Sequence, residues 1–509
     1  MKKYSIRQLL LLWVLVLMLL PSLVSAQAKP LVELDIYSVN DFHGALRQEG
    51  RYPGIATVAG VLTELGKINP EGTILLGGGD MLTGNLDADE YQGLPVVYAM
   101  NQIGFTANVL GNHAFDGKPE LLQKQISAAV FPMLSANVLA ADGTPAFTPY
   151  TMLSRSGIKI AVVGITTLDT LYKANPGKIR AFQIVDPVTS AQKYINEARA
   201  KGAQVVILLA HCGSHMNERG AVTGEVTTIL DQLQGVDACV SAHSHERVFG
   251  EYKKIPVVQA EAHGTAIGKI HLLYSRPENK IIASNQGVVS VAPGAGKPDS
   301  NIAKMVEPVL KDVDKKYGEI LGTNANYLSN DRQGVSAVGE YVADLLRKGF
   351  GADVALLNGG MVRHELEPGT LTVRHLREVL PFSSEIVVMH LTGADLLAAL
   401  EHGIDNPQIS QGRFSGVRLA IEPDLPQGQR ICDNVLLDGT RINPTALYKV
   451  VTVDFIAAGG DNYTMLLHGT NKRTVGNLQD FFTFAVRSAH GINYHEDGRL
   501  SVGQMRQAA

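Results

Sequence analysis

Side chains of the types that can bind metal ions follow five apolar segments of this sequence, each near the point where the segment ends. They are Asp41 and His43 after LVELDIYSV, Asp80 at the end of TILLGGGD, Asn112 in TANVLGNH, His211 at the end of AQVVILLAH, and His243 and His245 after VDACVSA. Two pairs are spaced two residues apart, which puts both side chains of a pair on the same face of a strand. Carboxylate, carboxamide and imidazole groups without a thiolate are typical of zinc, manganese, iron or cobalt sites.

The number of candidate ligands favours two ions over one. In an open α/β sheet, ligands bind at the carboxyl ends of the strands. Seven ligands are too many for one ion, so we group Asp41, His43, Asp80 and His245 around one metal and Asp80, Asn112, His211 and His243 around the other. Two ions roughly 3.5–4 Å apart clamp the oxygens of a phosphoryl displacement and lower the pKa of a bound water toward about 7. The sequence therefore predicts a centre of two divalent metal ions.

His113 has a different predicted role, because it cannot easily share a metal with its neighbour Asn112. We predict that it is the general acid, or the group that stabilises the transition state, at the leaving oxygen. Asp116, three residues on, would hold its other ring nitrogen and fix the tautomer. Any one such histidine at a strand end is more often solvated or hydrogen-bonded. That explanation would have to cover five histidines and two aspartates at once, and we reject it. His263 is left unassigned.

The elements that must position these residues alternate between apolar strands and helical segments over residues 31–290. Strands so apolar throughout are typical of sheets that are covered on both faces. This pattern predicts an α/β sandwich. A loop rich in Pro, Gly and Ser follows at 291–302, then a charged amphipathic helix, and from about residue 325 a second α+β pattern. We expect a first domain at 30–292, a linker helix at 300–322 and a second domain at 323–505.

The first 26 residues predict export. Lys2, Lys3 and Arg7 precede an apolar stretch, and Val24-Ser25-Ala26 is a small-residue cleavage site, which is the pattern of a secretory signal peptide. An uncleaved anchor is the alternative. We expect a periplasmic, cell-envelope or extracellular protein with no membrane span after cleavage. Removing three of the 45 basic residues leaves 42 against 49 acidic ones, a net charge of −7. That charge argues against a long nucleic acid as partner.

Three cysteines, Cys212, Cys239 and Cys432, are too few for a disulfide scaffold in an exported chain of this size. A bridge between Cys212 and Cys239 stays open, as does the oligomeric state.

The motifs NDFHG, GGGD, GNHAFD, AH and SAHSH, in this order, resemble those of the calcineurin-like metallophosphoesterases. LNGGMVRHEL, LPFSSEIVVMHLTGADLLAALEHG and VDFIAAGGDNY resemble the 5′-nucleotidase C-terminal domain. The pair resembles the exported 5′-nucleotidase / UDP-sugar hydrolase family, which includes 2′,3′-cyclic-nucleotide phosphodiesterases. The resemblance implies a four-layer sandwich with two central mixed sheets. It also implies hydrolysis of nucleotides to nucleoside and phosphate, by attack of a metal-bound hydroxide on phosphorus.

The resemblance also implies how the second domain holds a nucleotide. Phe455 and Phe414 would stack on the two faces of the base, and an aromatic sandwich of this kind accepts any base. Asp461 would bind the ribose hydroxyls, Asn358 and Arg363 would contact base, sugar or phosphate, and Arg332 would be a second phosphate contact, since Arg pairs with phosphate through a planar fork. Three positions depart from the family pattern: Ala114 replaces a usual Glu, GRFSG is about two residues short, and Glu340 replaces a usual Asn.

Several alternatives share the same metal centre. A UDP-sugar pyrophosphatase and a 2′,3′-cyclic-nucleotide phosphodiesterase are the nearest, and a thiosulfohydrolase of sulfur oxidation is a third. An alternative of a different class is a nucleotide-binding or host-interaction protein that is catalytically silent. The presence of every ligand type and of His113 argues against it.

Overall fold

The structure, a computed structural model, describes residues 30–503 except for 175, 405, 407 and 408. The predicted signal peptide at 1–26 lies outside these residues. Within the part described, no helix is both long enough and apolar enough to cross a membrane.

Two six-stranded mixed sheets form the centre of the N-terminal domain. In the first sheet, the strands in spatial order are Lys280–Ser290, Ala266–Ser275, Leu31–Val39, Thr73–Gly77, Ala107–Val109 and Met133–Leu134. In the second, they are Arg247–Tyr252, Ile255–Ala260, Ala238–Val240, Val205–His211, Ile158–Thr166 and Tyr150–Arg155. In the first sheet, Leu31–Val39, Thr73–Gly77, Ala107–Val109 and Met133–Leu134 pair parallel, and the other two strands pair antiparallel. In the second sheet, the four inner strands pair parallel and the two outer strands antiparallel.

The alternation of side chains along each strand explains why both sheet faces are apolar. On Leu31–Val39, Leu34 and Ile36 pack into the layer between the two sheets, whereas Tyr37 and Val39 pack toward the helices outside. Successive side chains of a strand point to opposite faces, so a strand buried on both sides must be apolar throughout.

Helices cover the outer faces and complete four layers. Ile55–Gly66 and Leu94–Ile103 lie on the first sheet, and Pro187–Ala200 and Glu225–Leu230 on the second. Shorter helices are Leu86–Asp89, Pro119–Ala128, Thr170–Lys173, Pro176–Ile179 and the 3₁₀ turn Asn112–Phe115, and small strand pairs are Val138–Ala140 with Phe182–Ile184 and His215–Met216 with Val222–Thr223. The predicted four-layer α/β sandwich is confirmed.

A helix at Ser300–Tyr317 connects the two halves of the chain. The Asp299 side chain caps it by accepting from the backbone N–H groups of Asn301 and Ile302, the expected N-cap arrangement. Ile302 and Val306 pack with the helices on the first sheet. The helix thus lies on the N-terminal domain, close to its predicted place; the domain boundaries themselves stay predictions.

The C-terminal domain is a separate α+β unit with its own core. Its central sheet consists, in spatial order, of Arg413–Ser415, Val354–Leu357, Leu447–Val453, Glu385–Thr392 and Thr470–Asn477. Two three-stranded sheets flank it, formed by Gly369–Thr372, Ile320–Asn324 and Gly491–Ile492, and by Ile431–Leu436, Val417–Ile421 and Leu500–Val502. The helices are Ala337–Phe350, Val373–Val379, Gly393–His402, Asp454–Ala457 and Leu478–Ser488, with 3₁₀ turns at Gly359–Met361, Gly460–Asn462 and Thr464–His468.

Candidate active site

The predicted metal ligands lie together where strands of the two N-terminal sheets end, and their backbone is strained. Five of the seven have left-handed φ angles of 47–77°: Asp41, His43, Asp80, His243 and His245. Residues other than glycine adopt this region rarely, and such strain concentrates at functional sites. The strand ends therefore turn sharply, so that these side chains point into one site.

Asp41, His43 and His245 form the first group of donor atoms, all within 4.8 Å of one another. The Nε2 atoms of His43 and His245 lie 3.1 Å apart. His43 Nδ1 lies 3.4 Å from the carbonyl oxygen of Thr83, to which it can donate. That contact leaves the lone pair on Nε2, the nitrogen that faces the other donor atoms of the cluster.

Asp80, His211 and His243 form the second group, also within 4.8 Å of one another. His211 donates from Nδ1 to the carbonyl oxygen of Gly78 at 2.9 Å, which leaves Nε2 as the ligand atom. Asn112 Oδ1 lies 3.2 Å from that nitrogen. The hydrogen bond from Nδ1 to Gly78 fixes the orientation of the imidazole, as is usual for metal-binding histidines.

Asp80 is the carboxylate that belongs to both halves of the site. Its Oδ2 atom lies 3.0 Å from His211 Nε2 in the second group. An oxygen of Asp80 also lies within 4.8 Å of a ring nitrogen of His43 and of one of His113, in a third cluster. Asp80 thus belongs to a candidate cluster with His43 and to one with His211 and His243.

Two glycines of the motifs make this close approach possible. A Cβ atom on Gly111 would lie 2.2 Å from Asp80 Oδ1 and 2.7 Å from the His211 ring. A Cβ on Gly79, where φ is 92°, would lie 2.4 Å from His211 Nδ1. Only glycine fits where a backbone passes this close to the ligands.

The electrostatics of the site fit divalent cations. Burial, with His245 and His113 next to it, holds the pKa of His43 well below its usual value, and burial with His263 and Arg332 does the same to the pKa of His245. Both imidazoles are therefore neutral, the form that binds metal. Although burial raises it, neighbouring His211 and His113 keep the pKa of Asp80 well below its usual range.

Asp41 gives a second indication that a cation belongs in this site. Its carboxylate is completely buried, and its Oδ1 atom has no hydrogen-bond partner among the described residues. Buried charges in proteins are paired or coordinate metals. The donor set thus fits the divalent metal ions that the sequence implies.

His113 and Asp116 form a dyad at the edge of the metal ligands, and both line the cavity. His113 Nδ1 lies 2.5 Å from Asp116 Oδ2, and its backbone N–H donates to Asp80 Oδ1 at 3.0 Å. Burial lowers the pKa of His113, but the nearby carboxylates of Asp116 and Asp80 outweigh it and raise that pKa. With Nδ1 engaged by Asp116, Nε2 is the nitrogen left to meet a substrate.

A cavity of about 2120 Å³ contains this site and extends between the two domains. Five of the six predicted substrate contacts line it: Arg332, Asn358, Arg363, Phe455 and Asp461. Asn358 Nδ2 donates to Asp461 Oδ2 at 3.1 Å, and Arg332 Nε to Ser410 Oγ at 3.2 Å. The C-terminal domain therefore faces the metal ligands with the residue types that the sequence predicts.

Phe414 is the exception, and its prediction as a base-stacking residue needs correction. It lies on strand Arg413–Ser415 opposite Leu356, is 5% exposed, and belongs to the hydrophobic core of the domain. Although this is the edge strand of the central sheet, its Phe414 ring points into the core. The short GRFSG segment already set this position apart from the family pattern.

Sequence reasoning missed Asp169, which orients a predicted ligand. Its Oδ2 atom lies 3.2 Å from His243 Nε2, and its Oδ1 atom accepts from the Tyr172 hydroxyl. If His243 Nε2 donates to this carboxylate, Nδ1 is left to bind metal. The signal was present, because Asp169 follows the predicted strand IKIAVVGIT just as the ligands follow theirs.

Two aromatic rings at the site also went unassigned. His263 has a left-handed φ of 54°, and its ring centroid lies 5.5 Å from that of His43 and 4.5 Å from that of Tyr52. Phe382, in the LPFSS segment of the second domain, stacks on His113. Among the residues described, Cys212, Cys239 and Cys432 are all free thiols, so the structure shows no bridge between the first two.

Two family models match the chain. One, described as calcineurin-like phosphoesterase, matches residues 34–247, and one, described as 5′-nucleotidase, C-terminal domain, matches residues 316–468. The chain therefore contains a calcineurin-like phosphoesterase domain followed by a 5′-nucleotidase C-terminal domain. The family resemblance drawn from the motifs is confirmed, and the protein is a metal-dependent phosphoester hydrolase.

Known relatives of this phosphoesterase share both halves of it. It is 28% identical to a 5′-nucleotidase of Vibrio cholerae over 486 residues, 86% of this chain and 87% of that protein. It is 27% identical to the endonuclease YhcR of Bacillus subtilis over 93% of this chain, but it spans only 41% of that protein's length. The crystal structure of a 5′-nucleotidase precursor from Thermus thermophilus superposes with a TM-score of 0.81 at 26% identity, over 93% of this chain and 100% of that one.

Proposed function

We propose that this phosphoesterase is a nucleotidase that hydrolyses nucleoside 5′-phosphates to nucleoside and inorganic phosphate. The observation that carries the proposal is one cavity in which the two ligand groups and the His113–Asp116 dyad face the polar and aromatic residues of the C-terminal domain. Phosphate chemistry and nucleoside recognition need these two sets of groups side by side. The named activity of the Vibrio cholerae and Thermus relatives supports the same substrate class.

Two divalent cations, of zinc, manganese, iron or cobalt, would occupy the ligand groups. Asp41, His43 and His245 would hold one and Asn112, His211 and His243 the other, with Asp80 between them. When bound, such a pair supplies Lewis-acid activation of the phosphoryl oxygens and of an attacking water. The neutral imidazoles and the unpartnered Asp41 oxygen support this assignment.

His113 would serve the leaving oxygen. As the bond between phosphorus and the ester oxygen breaks, the proton on Nε2 passes to that oxygen and forms the hydroxyl of the released nucleoside. The attacking water forms the new bond to phosphorus, so the products are the nucleoside and phosphate. Asp116, held on Nδ1, keeps the imidazole in the tautomer and orientation that this transfer needs.

The C-terminal domain would hold the remainder of the nucleotide. Phe455 offers an aromatic face to the base, and the Asn358–Asp461 pair offers a carboxylate to the ribose hydroxyls. Arg332 and Arg363 both line the same cavity, Arg332 exposed and Arg363 half-buried, and Arg363 Nε has no hydrogen-bond partner among the described residues. A half-buried guanidinium whose Nε lacks a partner favours an anionic ligand such as phosphate.

A second candidate is hydrolysis of a larger nucleotide, such as the pyrophosphate bond of a UDP-sugar. The cavity of about 2120 Å³ exceeds the roughly 300–1,000 Å³ that is usual for a small-molecule site. A 2′,3′-cyclic nucleotide would use the same metal ligands. For its location, we keep the prediction of export by the N-terminal signal, to the periplasm, the cell envelope or the outside.

The test is phosphate release from AMP, ATP, UDP-glucose and 2′,3′-cyclic AMP, with Mn²⁺ or with a chelator, by the wild type and by His113→Ala. For UDP-glucose and the cyclic substrate, UMP and nucleoside monophosphate are measured as well. We expect metal-dependent turnover of AMP that His113→Ala lowers by about 10²- to 10⁴-fold. Turnover of UDP-glucose or the cyclic substrate alone would establish the second candidate instead. Metal-loaded protein that binds nucleotides without turnover would refute catalysis and support the binding-protein alternative.

A further inference from the structure

A phenylalanine from the C-terminal domain lies against the imidazole of the dyad in the N-terminal domain. The rings of Phe382 and His113 are nearly parallel, with an interplanar angle of 5° and centroids 6.0 Å apart. This distance lies in the range of offset-stacked aromatic pairs, about 4.5–7 Å. Phe382 lines the cavity beside His113, and the Arg363 guanidinium lies 4.9 Å from its ring centroid.

The loop that carries Phe382 is fixed on both sides by backbone hydrogen bonds. It joins helix Val373–Val379 to strand Glu385–Thr392. Before Phe382, the carbonyl oxygens of Val379 and Leu380 accept from Arg363 N at 2.9 Å and from Gln479 Nε2 at 2.5 Å. After it, the carbonyl oxygen of Ser384 accepts from Leu478 N at 2.9 Å. The loop is therefore attached to the C-terminal domain on both sides of Phe382.

The same helix is attached to the N-terminal domain at its other end. Arg374 Nη1 and Nη2 donate to the two oxygens of Asp87 at 2.9 and 3.0 Å. The Asp87 side chain is fully buried, and that of Arg374 is 12% exposed. A bidentate pair of this geometry is directional as well as strong. It holds the helix, and with it the Phe382 loop, in a defined place above His113.

The other contacts of His113 leave one motion of its ring free. The hydrogen bond from Nδ1 to Asp116 fixes one corner of the imidazole, and the His43 ring meets it edge-on at 5.2 Å and 78°. A single hydrogen bond leaves the imidazole able to rotate about its Cβ–Cγ bond, which would swing Nε2 away from the leaving oxygen. The Phe382 ring, which lies parallel to the imidazole, opposes that rotation.

We propose that Phe382 is a positioning residue for His113, through which the C-terminal domain orients the acid that protonates the leaving group. The proposal rests on the role of His113 given under the proposed function. It implies that the dyad is complete only when both domains have the arrangement seen here. It also separates Phe382 from Phe455, which acts on the nucleoside.

Two aryl phosphates of nearly equal size test this role, because only one of them needs the acid. Phenyl phosphate has a poor leaving group that needs protonation, whereas 4-nitrophenyl phosphate departs without it. For Phe382→Leu we expect kcat on AMP and phenyl phosphate to fall by about 10- to 100-fold, the usual cost of a misplaced group. On 4-nitrophenyl phosphate the fall stays under about 3-fold, and Phe382→Tyr retains most of the activity because it keeps the ring. Phe455→Leu is the matched control. We expect its KM for AMP to rise, while its kcat values on the two aryl phosphates change by the same factor.

A double variant decides whether Phe382 acts through His113. In a His113→Ala background, Phe382→Leu is expected to cause no further loss of kcat, because residues that act as a unit are not additive. The same loss in both backgrounds, or an equal loss on both aryl phosphates, would overturn the inference. So would wild-type kcat in Phe382→Leu.

Failure of the proposed function would give a different result. If His113→Ala keeps wild-type turnover of AMP and phenyl phosphate, His113 is not the acid, and both proposals are overturned. If AMP alone is not hydrolysed, only the nucleotide assignment fails. The aryl phosphates still decide the role of Phe382, since they do not need the nucleoside-binding residues.

Discussion

Replacing Arg374 with methionine is expected to loosen the two domains from each other without unfolding either one. Arg374 gives two hydrogen bonds to the buried Asp87 across the domain boundary, at 2.9 and 3.0 Å. Arg47, within the N-terminal domain, contacts the same carboxylate at 3.1 and 3.3 Å. Methionine keeps most of the length of the side chain and removes its charge and hydrogen-bond donors.

The size of the effect follows from what remains around Asp87. Breaking a buried ion pair costs about 3–5 kcal/mol when a charge is left alone. Here Arg47 stays on Asp87, and burial raises the pKa of Glu378, a second partner of Arg374, to about 7, so that it can take up a proton. We therefore expect a loss near the value of one or two charge-assisted hydrogen bonds, about 2–3 kcal/mol. That lowers the ratio of the observed arrangement to looser ones by roughly 30- to 150-fold.

The assay is the distance between the domains in solution. Cys432 is the exposed thiol of the C-terminal domain, whereas Cys212 and Cys239 are buried, so a label on Cys432 can be paired with one on Lys67→Cys in the N-terminal domain. Lys67 is 63% exposed. We expect a broader distance distribution and a larger radius of gyration by small-angle scattering for Arg374→Met, together with lower kcat on AMP.

The matched control is Arg47→Met, which removes a cation from the same carboxylate but leaves the contact from Arg374 across the boundary in place. It is expected to lower the free energy of unfolding while the distance between the domains stays as in the wild type. If Arg374→Met has wild-type distances and scattering, or if both variants behave alike, the Arg374–Asp87 pair does not hold the domains together and the reasoning is refuted.

Three further predictions concern the site and the second domain. Asp116→Asn should lower kcat on AMP by about 10²- to 10⁴-fold with unchanged metal content, since the imidazole loses its orienting carboxylate; unchanged kcat would contradict the dyad. Gly111→Ala should reduce the metal bound per chain, measured by elemental analysis of dialysed protein, because its Cβ would lie 2.2 Å from Asp80 Oδ1; full metal content would show that the turn adapts. Burial raises the pKa of Glu340 from its usual 4.5 to about 7. Protonated Glu340 therefore stabilises the folded state. This contribution to the free energy of unfolding is complete below pH 4.5 and is lost as the pH rises through 7. Urea unfolding of Glu340→Gln should therefore lack a fall of about 3 kcal/mol that the wild type shows between pH 5 and pH 8; equal slopes would contradict the raised pKa.

The candidate ligands could be predicted from the sequence because their positions are local to strands and short turns. Apolar alternation identifies the strands, and the ends of parallel strands meet at one edge of a sheet. The glycine motifs mark the turns where the backbone passes too close to a ligand for any side chain to fit. His113 and Asp116 are three residues apart on one 3₁₀ turn, so their contact also follows from spacing.

The remaining features depend on which surfaces the folded chain brings together. The direction of the Phe414 side chain depends on which face of its strand the second domain buries. The family motif predicted that this ring faces the base of the nucleotide. Asp169 meets His243 across 74 residues, and Arg374 meets Asp87 across 287. Contacts at such separations arise from the packing of sheets and domains, which no periodicity in the chain encodes. The sequence by itself thus determined the candidate metal ligands and the candidate dyad, whereas only the tertiary structure decided which side chains contact them, Asp169 at His243 and Phe382 at His113.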